Sequence, residues 1–286
     1  MSGLAFAPPD PRTVAADVAR ALEEDVGSGD VTAALVPDLP AQARLLCKEP
    51  AVVAGGPWFE AALRALDPDA RVEWQVAEGD RVDAPHPIAL VHARTRALLS
   101  AERTALNFIQ TLSGTATATA RFVAAVAGTR ARILDTRKTL PGLRMAQKYA
   151  VRAGGGLNHR IGLFDAVMIK ENHVRAAGSV TAAIRAARAA QPALPLIVEV
   201  ENLDELREAL AAGGDRILLD DFDLDDMRTA VALAGGRVPL EVSGSVTLEQ
   251  VRAIAETGVD CISIGGLTKH VHAIDLSLKL VGGSEE

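Results

Sequence analysis

Beyond residue 131 the chain alternates short runs of apolar and β-branched residues with Ala-rich stretches of helical periodicity. The runs cover 132–135, 166–170, 196–201, 216–220, 240–243 and 260–265. Such alternation predicts βα units around a parallel sheet. Helix starts follow three of the runs, where Asn202 precedes Glu205, Asp223 precedes Asp226 and Thr247 precedes Gln250 at the spacing of a capping box or its near relative. Polar residues and glycines recur at the C-terminal ends of the runs: Asp135 to Lys138, Lys170, Glu199 and Glu201, Asp220, Ser243-Gly244 and Gly265-Gly266. A single charge there is usually a cap or a solvated turn. Six such ends in succession, with Lys and Glu on otherwise apolar strands, fit the catalytic face of a β/α barrel. An open doubly wound sheet has the same periodicity and stands as the structural alternative.

The first hundred residues read differently. Alternating or mixed strands are predicted over 43–49, 71–76 and 88–95, with turns at Glu78-Gly79-Asp80 and Pro85-His86-Pro87, and helices over 11–25 and 58–66. This is an α+β pattern. Two further helices, 98–112 and 115–126, are expected on either side of a break at Ser113-Gly114. The predicted organisation is α/β overall: an N-terminal α+β, sandwich-like domain over 1–113, then a β/α-barrel catalytic domain over 114–271.

Composition narrows the function. With 286 residues and 49% apolar content the chain can bury a full core. Six Phe, two Trp and one Tyr leave little material for stacking on bases, and a net charge of −7 opposes a polyanionic helix, so no nucleic-acid partner is expected. Cys47 and Cys261 have no metal or redox spacing and read as buried free thiols. Residues 1–10 lack a basic start and a long apolar run, and no stretch approaches the roughly 18 to 20 apolar residues of a membrane span. The expectation is a soluble, cytoplasmic protein without a membrane partner.

Within this acidic chain, residues 130–175 form a basic island of ten Lys or Arg against three acids, +7 where the remainder carries −14. The run Thr136-Arg137-Lys138-Thr139 follows a strand and leads through Pro141-Gly142 into a helix with Arg144, Lys148 and Arg152 on one face. Such a stripe alone is more often solvated. Beside Asn158-His159-Arg160 and a strand-ending Lys170, it points to a small, highly charged anion, gripped through phosphates or carboxylates. Lys170 in a barrel mouth needs an anionic partner or a depressed pKa.

These residues also carry a resemblance. The segments Glu24-Asp25-Val26-Gly27-Ser28-Gly29-Asp30-Val31-Thr32, Glu102-Arg103-Thr104-Ala105-Leu106-Asn107, Thr136-Arg137-Lys138-Thr139, Asn158-His159-Arg160 and Lys170-Glu171-Asn172-His173 are similar to the quinolinate phosphoribosyltransferase family. Val198-Glu199-Val200-Glu201, Leu218-Leu219-Asp220, Ser243-Gly244 and Gly265-Gly266-Leu267-Thr268-Lys269-His270 continue it in register across nearly the whole chain. The resemblance implies conversion of quinolinate and phosphoribosyl pyrophosphate to nicotinate mononucleotide, pyrophosphate and carbon dioxide, with Mg2+, in de novo NAD biosynthesis. It implies at least a homodimer with shared active sites, and a C-terminal segment, 272–286, that returns to the first domain. By position it assigns quinolinate to Arg137, His159, Arg160 and Lys170, with Arg103 from the other subunit. Phosphoribosyl pyrophosphate falls to Lys138, Glu199, Asp220, Ser243, Gly244, Gly265, Gly266 and Lys269. Lys138, Glu199 and Asp220 are the implied catalytic residues, and Glu199 and Asp220 the implied magnesium ligands, acting largely through substrate and water. Asp221 stands where the family commonly has Asn.

Other readings of the same residues stay open at this level. They are a paralogue of the fold acting on another acid, a Schiff-base aldolase using Lys170, and a non-catalytic phosphosugar sensor.

Overall fold

The computed structural model describes Ala7 and residues 9–281. In chain order the elements are α1 (Pro11–Asp25), β1 (Pro40–Cys47), β2 (Ala51–Val52), α2 (Gly56–Leu66), β3 (Arg71–Trp74), β4 (Arg81–Val82), β5 (His86–Arg94), α3 (Thr95–Ala125), β6 (Arg132–Leu134), α4 (Arg144–Ala153), β7 (Val167–Ile169) and α5 (Glu171–Ala177). Then follow α6 (Val180–Ala190), β8 (Leu196–Val200), α7 (Leu203–Ala212), β9 (Arg216–Asp220), α8 (Leu224–Ala234), β10 (Leu240–Ser243), α9 (Val251–Glu256), β11 (Cys261–Ser263), α10 (Gly266–Lys269) and β12 (Leu276–Val281). Two compact units result. One takes the chain up to Ala120 with 140–155 and the segment from Thr268, and the other takes 121–139 and 156–267. By contact, α3 stays in the first unit as far as Ala120, and α4 and the C-terminal strand β12 belong to that unit as well.

The first unit is built on an antiparallel sheet in the order β12-β1-β5-β3. Its strands are half-buried, so alternate residues such as Ala43, Leu45 and Cys47 of β1 face the core. Trp58 and Phe59 of α2, Leu106 and Ile109 of α3 and Leu276 of β12 join the same core. Each such side chain contributes about 1.5–3 kcal/mol on burial.

The expected break at Ser113-Gly114 is absent: α3 is one helix of 31 residues. The pair instead lets other chain segments approach. The Ser113 hydroxyl accepts from the Ala54 N–H (3.0 Å) and donates to the Ala54 carbonyl (3.1 Å). A Cβ on Gly114 would stand 2.1 Å from the carbonyl oxygen of His272. A small residue marks close packing here, and the helical ladder continues through it.

The second unit holds a six-stranded parallel sheet in the order β7-β8-β9-β10-β11-β6, extended beyond β6 by a bridge from Leu134 to Leu157. The first strand in sequence lies beside the last, which is barrel order; a doubly wound sheet reverses direction at its middle instead. The expected six strands are thus present and the β/α-barrel architecture is borne out. Among the described residues no ladder joins Leu157 to β7.

Period-two alternation sorts the strand residues. Val167, Ile169, Leu196, Val198, Val200, Ile217, Leu219, Leu240, Val242 and Ile262 face outward into the large core shared with the surrounding helices. The alternate positions, Met168, Ile197, Glu199, Leu218, Asp220, Glu241, Ser243 and Ser263, belong to the opposite, inward face. Small apolar contacts among Ala166, Met168, Ile197 and Leu218 fill part of that interior.

Asn202 and Asp223 cap α7 and α8 as their spacing predicts, each accepting two backbone N–H bonds. The third start differs. Gln250 accepts from the Thr247 N–H at 3.3 Å, but α9 begins only at Val251, so that pair closes a turn ahead of the helix. Cys261 is half-buried where the sequence suggested a buried thiol, whereas Cys47 is buried.

Candidate active site

The inward face opens into a cavity of about 270 Å³ at the C-terminal strand ends. Thr136, Arg137 and Lys138 from the loop after β6 line it, with His159 and Arg160 from the segment after Leu157. Met168, Lys170, Glu199, Leu218, Glu241, Ser243 and Ser263 complete the wall. Four cationic side chains and a histidine from three separate stretches of sequence therefore converge on one opening.

Asp135 fixes the loop geometry. It is fully buried at the end of β6, accepting from Asn158 Nδ2 at 2.7 Å and from the His159 N–H at 2.8 Å. One carboxylate thus ties the Asn158-His159-Arg160 segment to the strand that carries Arg137 and Lys138. Lys138 is turned by its own neighbour, its N–H donating to Thr136 Oγ1 at 3.0 Å.

Arg160 is half-buried and donates to the Ala166 carbonyl (3.1 Å) and towards Met168 Sδ (3.6 Å). Its pKa is pushed down from the usual arginine value, first by burial and then by repulsion from Arg137, with Asp165 acting in the opposite sense. Guanidiniums held close against their mutual repulsion make a site that favours an anion between them.

Lys170, at the end of β7, donates to Glu199 Oε2 at 2.5 Å. This is the anionic partner its position demanded. One layer towards the strand ends, Asp220 accepts from the Ser243 hydroxyl at 2.7 Å, joining β9 to β10. Asp221 follows with φ +55°, a left-handed conformation that a short polar side chain tolerates. Gly244 and Gly265 complete the rim, and a Cβ on Gly265 would meet Lys138 Cδ at 2.7 Å. Gly266 opens α10.

Arg103, on α3, and Lys269, at the end of α10, lie exposed in the first unit. The helix α4 also belongs to the first unit but is largely buried there, and Lys148 of its basic stripe is only 2% exposed.

Two site residues escaped sequence reasoning. Asp135 appeared only as one of many strand-end polar groups, and Glu241 did not appear at all. Glu241 is fully buried, with Oε1 3.3 Å from His159 Nε2 and Oε2 3.0 Å from Arg216 Nη1. Burial pushes its pKa up, but His159, Ser263 and Arg216 outweigh this and hold it below the usual glutamate value. A signal existed: an acid flanked by Leu240 and Val242 on a parallel strand is out of pattern.

The profile of the quinolinate phosphoribosyl transferase N-terminal domain matches residues 30–113, and that of the C-terminal domain matches 115–279. The chain belongs to the quinolinate phosphoribosyltransferase family. Among its relatives is the nicotinate-nucleotide pyrophosphorylase [carboxylating] of Mycobacterium leprae, 46% identical over 274 residues, spanning 92% of this chain and 95% of that protein. A probable nicotinate-nucleotide pyrophosphorylase [carboxylating] of Bacillus subtilis is 41% identical, with 92% and 91% covered. The solved nicotinate-nucleotide pyrophosphorylase from Francisella tularensis superposes with a TM-score of 0.93 at 44% identity, covering 98% of this chain and all of that one. A human nicotinic acid phosphoribosyltransferase, at 14% identity and a TM-score of 0.64, shares the fold. No helix of the described residues is long and apolar enough to cross a membrane.

Magnesium is a question of donors. The described residues hold no group of three or more His, Cys, Asp or Glu arranged for a metal. Acids do crowd the ends of β8 and β9. The Glu201 carboxyl is pushed up, by desolvation first and then by Glu171, Glu205, Asp220 and Glu199. Such an edge fits a hard cation that brings most of its oxygen ligands with it as water and substrate.

Proposed function

We propose that this family member is a carboxylating nicotinate-nucleotide pyrophosphorylase, a phosphoribosyltransferase of NAD biosynthesis acting on quinolinate and phosphoribosyl pyrophosphate. The observation that carries this reading is the convergence of Arg137, Lys138, Arg160 and Lys170 opposite Glu199 in one barrel mouth. A planar diacid needs several fork-shaped cations, and a polyphosphate sugar needs point charges and close backbone N–H groups.

Quinolinate lies against Arg137, Arg160 and Lys170, with His159 at the floor. Its arrival redirects Lys170 from Glu199 to a substrate carboxylate, leaving Glu199 to face the ribose. Phosphoribosyl pyrophosphate sets its 5′-phosphate, of about −1.5 to −2 charge, at Ser243-Gly244 and Gly265-Gly266, with Lys269 beside it, and its pyrophosphate at Lys138. The bond from the anomeric carbon to the pyrophosphate oxygen breaks as Lys138 neutralises the leaving charge. Glu199 and Asp220 oppose the positive charge that develops on the ribosyl centre. The pyridine nitrogen lone pair forms the new bond, so no general base is needed. The resulting pyridinium then loses its 2-carboxylate as carbon dioxide; the ring cation stabilises the electron pair left at that carbon, which a proton quenches.

Mg2+ would be held by Glu199 and Asp220 through water and substrate oxygens, where it would supply further neutralisation of the pyrophosphate. The working form is a homodimer in which Arg103 of one subunit completes the quinolinate site of the other, and its location is cytoplasmic. This much rests on the family resemblance and on the exposed position of Arg103.

The test is incubation of the purified protein with phosphoribosyl pyrophosphate, Mg2+ and either quinolinate or nicotinate, following nicotinate mononucleotide and released carbon dioxide. Product from quinolinate alone supports the proposal. Product from nicotinate alone, or from neither acid, would move the substrate to another member of the fold.

A further inference from the structure

Beneath the acid-binding cations runs a buried chain of contacts. Arg216, at the start of β9, donates to Glu241 Oε2 at 3.0 Å. Glu241 Oε1 faces His159 Nε2 at 3.3 Å. On the other side of the imidazole, Nδ1 accepts from the Arg160 N–H at 2.8 Å. An acceptor role for Nδ1 places the proton of the neutral ring on Nε2, pointing at Glu241. Nδ1 is thereby held by backbone, while Nε2 lies at charge-contact distance from Glu241 without an in-line hydrogen bond. The imidazole acts as a strut between Glu241 and the backbone of Arg160, whose guanidinium is set in turn by Ala166 and Met168.

We infer that Glu241, braced by Arg216, is a positioning residue for the quinolinate half of the site, and that a carboxylate is required because two donors converge on it. The inference deepens the proposed function and rests on it. The argument is one of satisfiability. Glutamate turns one negative oxygen toward His159 Nε2 at 3.3 Å, a charge contact, and accepts from Arg216 with the other at 3.0 Å. Glutamine is the same size but has a single oxygen. If that oxygen serves Arg216, the amide N–H group faces the His159 proton; if it serves His159, the amide faces the guanidinium. Either choice opposes two donors in a buried place, where a donor left unmatched is costly. Turning the imidazole tautomer to Nδ1–H would oppose it to the Arg160 N–H instead.

Removing the competing donor should therefore repair the defect. In the E241Q/R216M double variant the Gln oxygen is free to accept from His159, no unpaired carboxylate is left behind, and Met keeps the apolar stem of Arg216. Two deleterious changes at a purely structural contact would instead accumulate.

The experiment compares full-length wild type, E241Q, R216M and E241Q/R216M for the KM of each substrate, kcat and thermal unfolding. Wild-type turnover of quinolinate is measured first, so that loss of the functional reading is recognised before the variants are interpreted. E241Q is expected to raise the quinolinate KM about tenfold, with kcat and the phosphoribosyl pyrophosphate KM changed by less than about twofold. The double variant is expected to recover most of that loss. An unchanged quinolinate KM in E241Q, an equal rise in both KM values, or a double variant worse than E241Q would each overturn the inference. If E241Q does not fold, the double variant decides alone: a quinolinate KM near wild type supports the inference, and a tenfold rise or failure to fold refutes it.

Discussion

Gly265→Ala places a methyl group directly against the shaft of Lys138. The added Cβ would lie 2.7 Å from Lys138 Cδ and 3.6 Å from Cε, with Thr136 Oγ1 at 3.5 Å, where ordinary contact begins at 3.4 Å. The atom struck belongs to a long, flexible side chain, so Lys138 yields and the strand does not. The rotamer adjustment costs about 0.5–1.5 kcal/mol, which lowers the melting temperature by only a few degrees at roughly 2–4 °C per kcal/mol. Catalysis suffers more, because a displacement of about 1 Å in a charge-neutralising group costs on the order of 100-fold in rate. The assay is steady-state turnover of quinolinate by G265A, K138A and the double variant, with melting curves for each. If the effect travels through Lys138, G265A has little further effect in the K138A background. Additive losses would refute this route and assign the damage to blocked approach of the 5′-phosphate to the glycine backbone. A large loss of stability with turnover intact would sink the argument altogether.

Lys138→Ala should lower kcat while leaving quinolinate affinity unchanged; weakened quinolinate binding at normal turnover would contradict its assignment to pyrophosphate. Arg103→Ala and Lys138→Ala homodimers should each be nearly inactive, whereas mixed dimers regain one intact site; no recovery despite demonstrated subunit exchange would count against Arg103 acting in trans. Gly114→Ala gains about 1 kcal/mol of helix propensity yet drives a Cβ to 2.1 Å from the rigid carbonyl of His272, so the melting temperature should fall, and a rise would show that the approach is not maintained. Glu241 has a folded pKa held below the ordinary 4.5, so the unfolded state binds more protons as pH falls; the stability Glu241 contributes is full above about 4.5 and lost as pH falls through the folded value. The stability gap between wild type and E241Q should accordingly narrow below about pH 4.5, which denaturant melts at stepped pH would reveal.

The cationic residues of the site were legible because their chemistry is local. Arg137-Lys138 and Asn158-His159-Arg160 sit in a basic island of an acidic chain, and Lys170, Glu199 and Asp220 interrupt apolar strands where barrel strands end. The helix break at Ser113-Gly114 was misread because local propensity cannot see His272, 158 positions away, whose approach requires a glycine. The Thr247 start was placed early because the Gln250 side chain accepts from the Thr247 backbone N–H in a turn that precedes α9, a bond with the same spacing as a cap.

Hydrophobic periodicity and the order of charged residues determined, from sequence alone, that the second half is built of βα units around a parallel sheet with anion-binding strand ends. That information is carried by near neighbours and by a period of two. The strand order decided for the barrel over a doubly wound sheet. Strand register decided the rest. It placed Glu199, Leu218 and Glu241 at one level of the interior, brought Lys170 to Glu199, and set Glu241 between Arg216 and His159. Those pairings join residues 25 to 82 positions apart. No local pattern encodes them, because their energies depend on distances and burial that exist only once the sheet has formed.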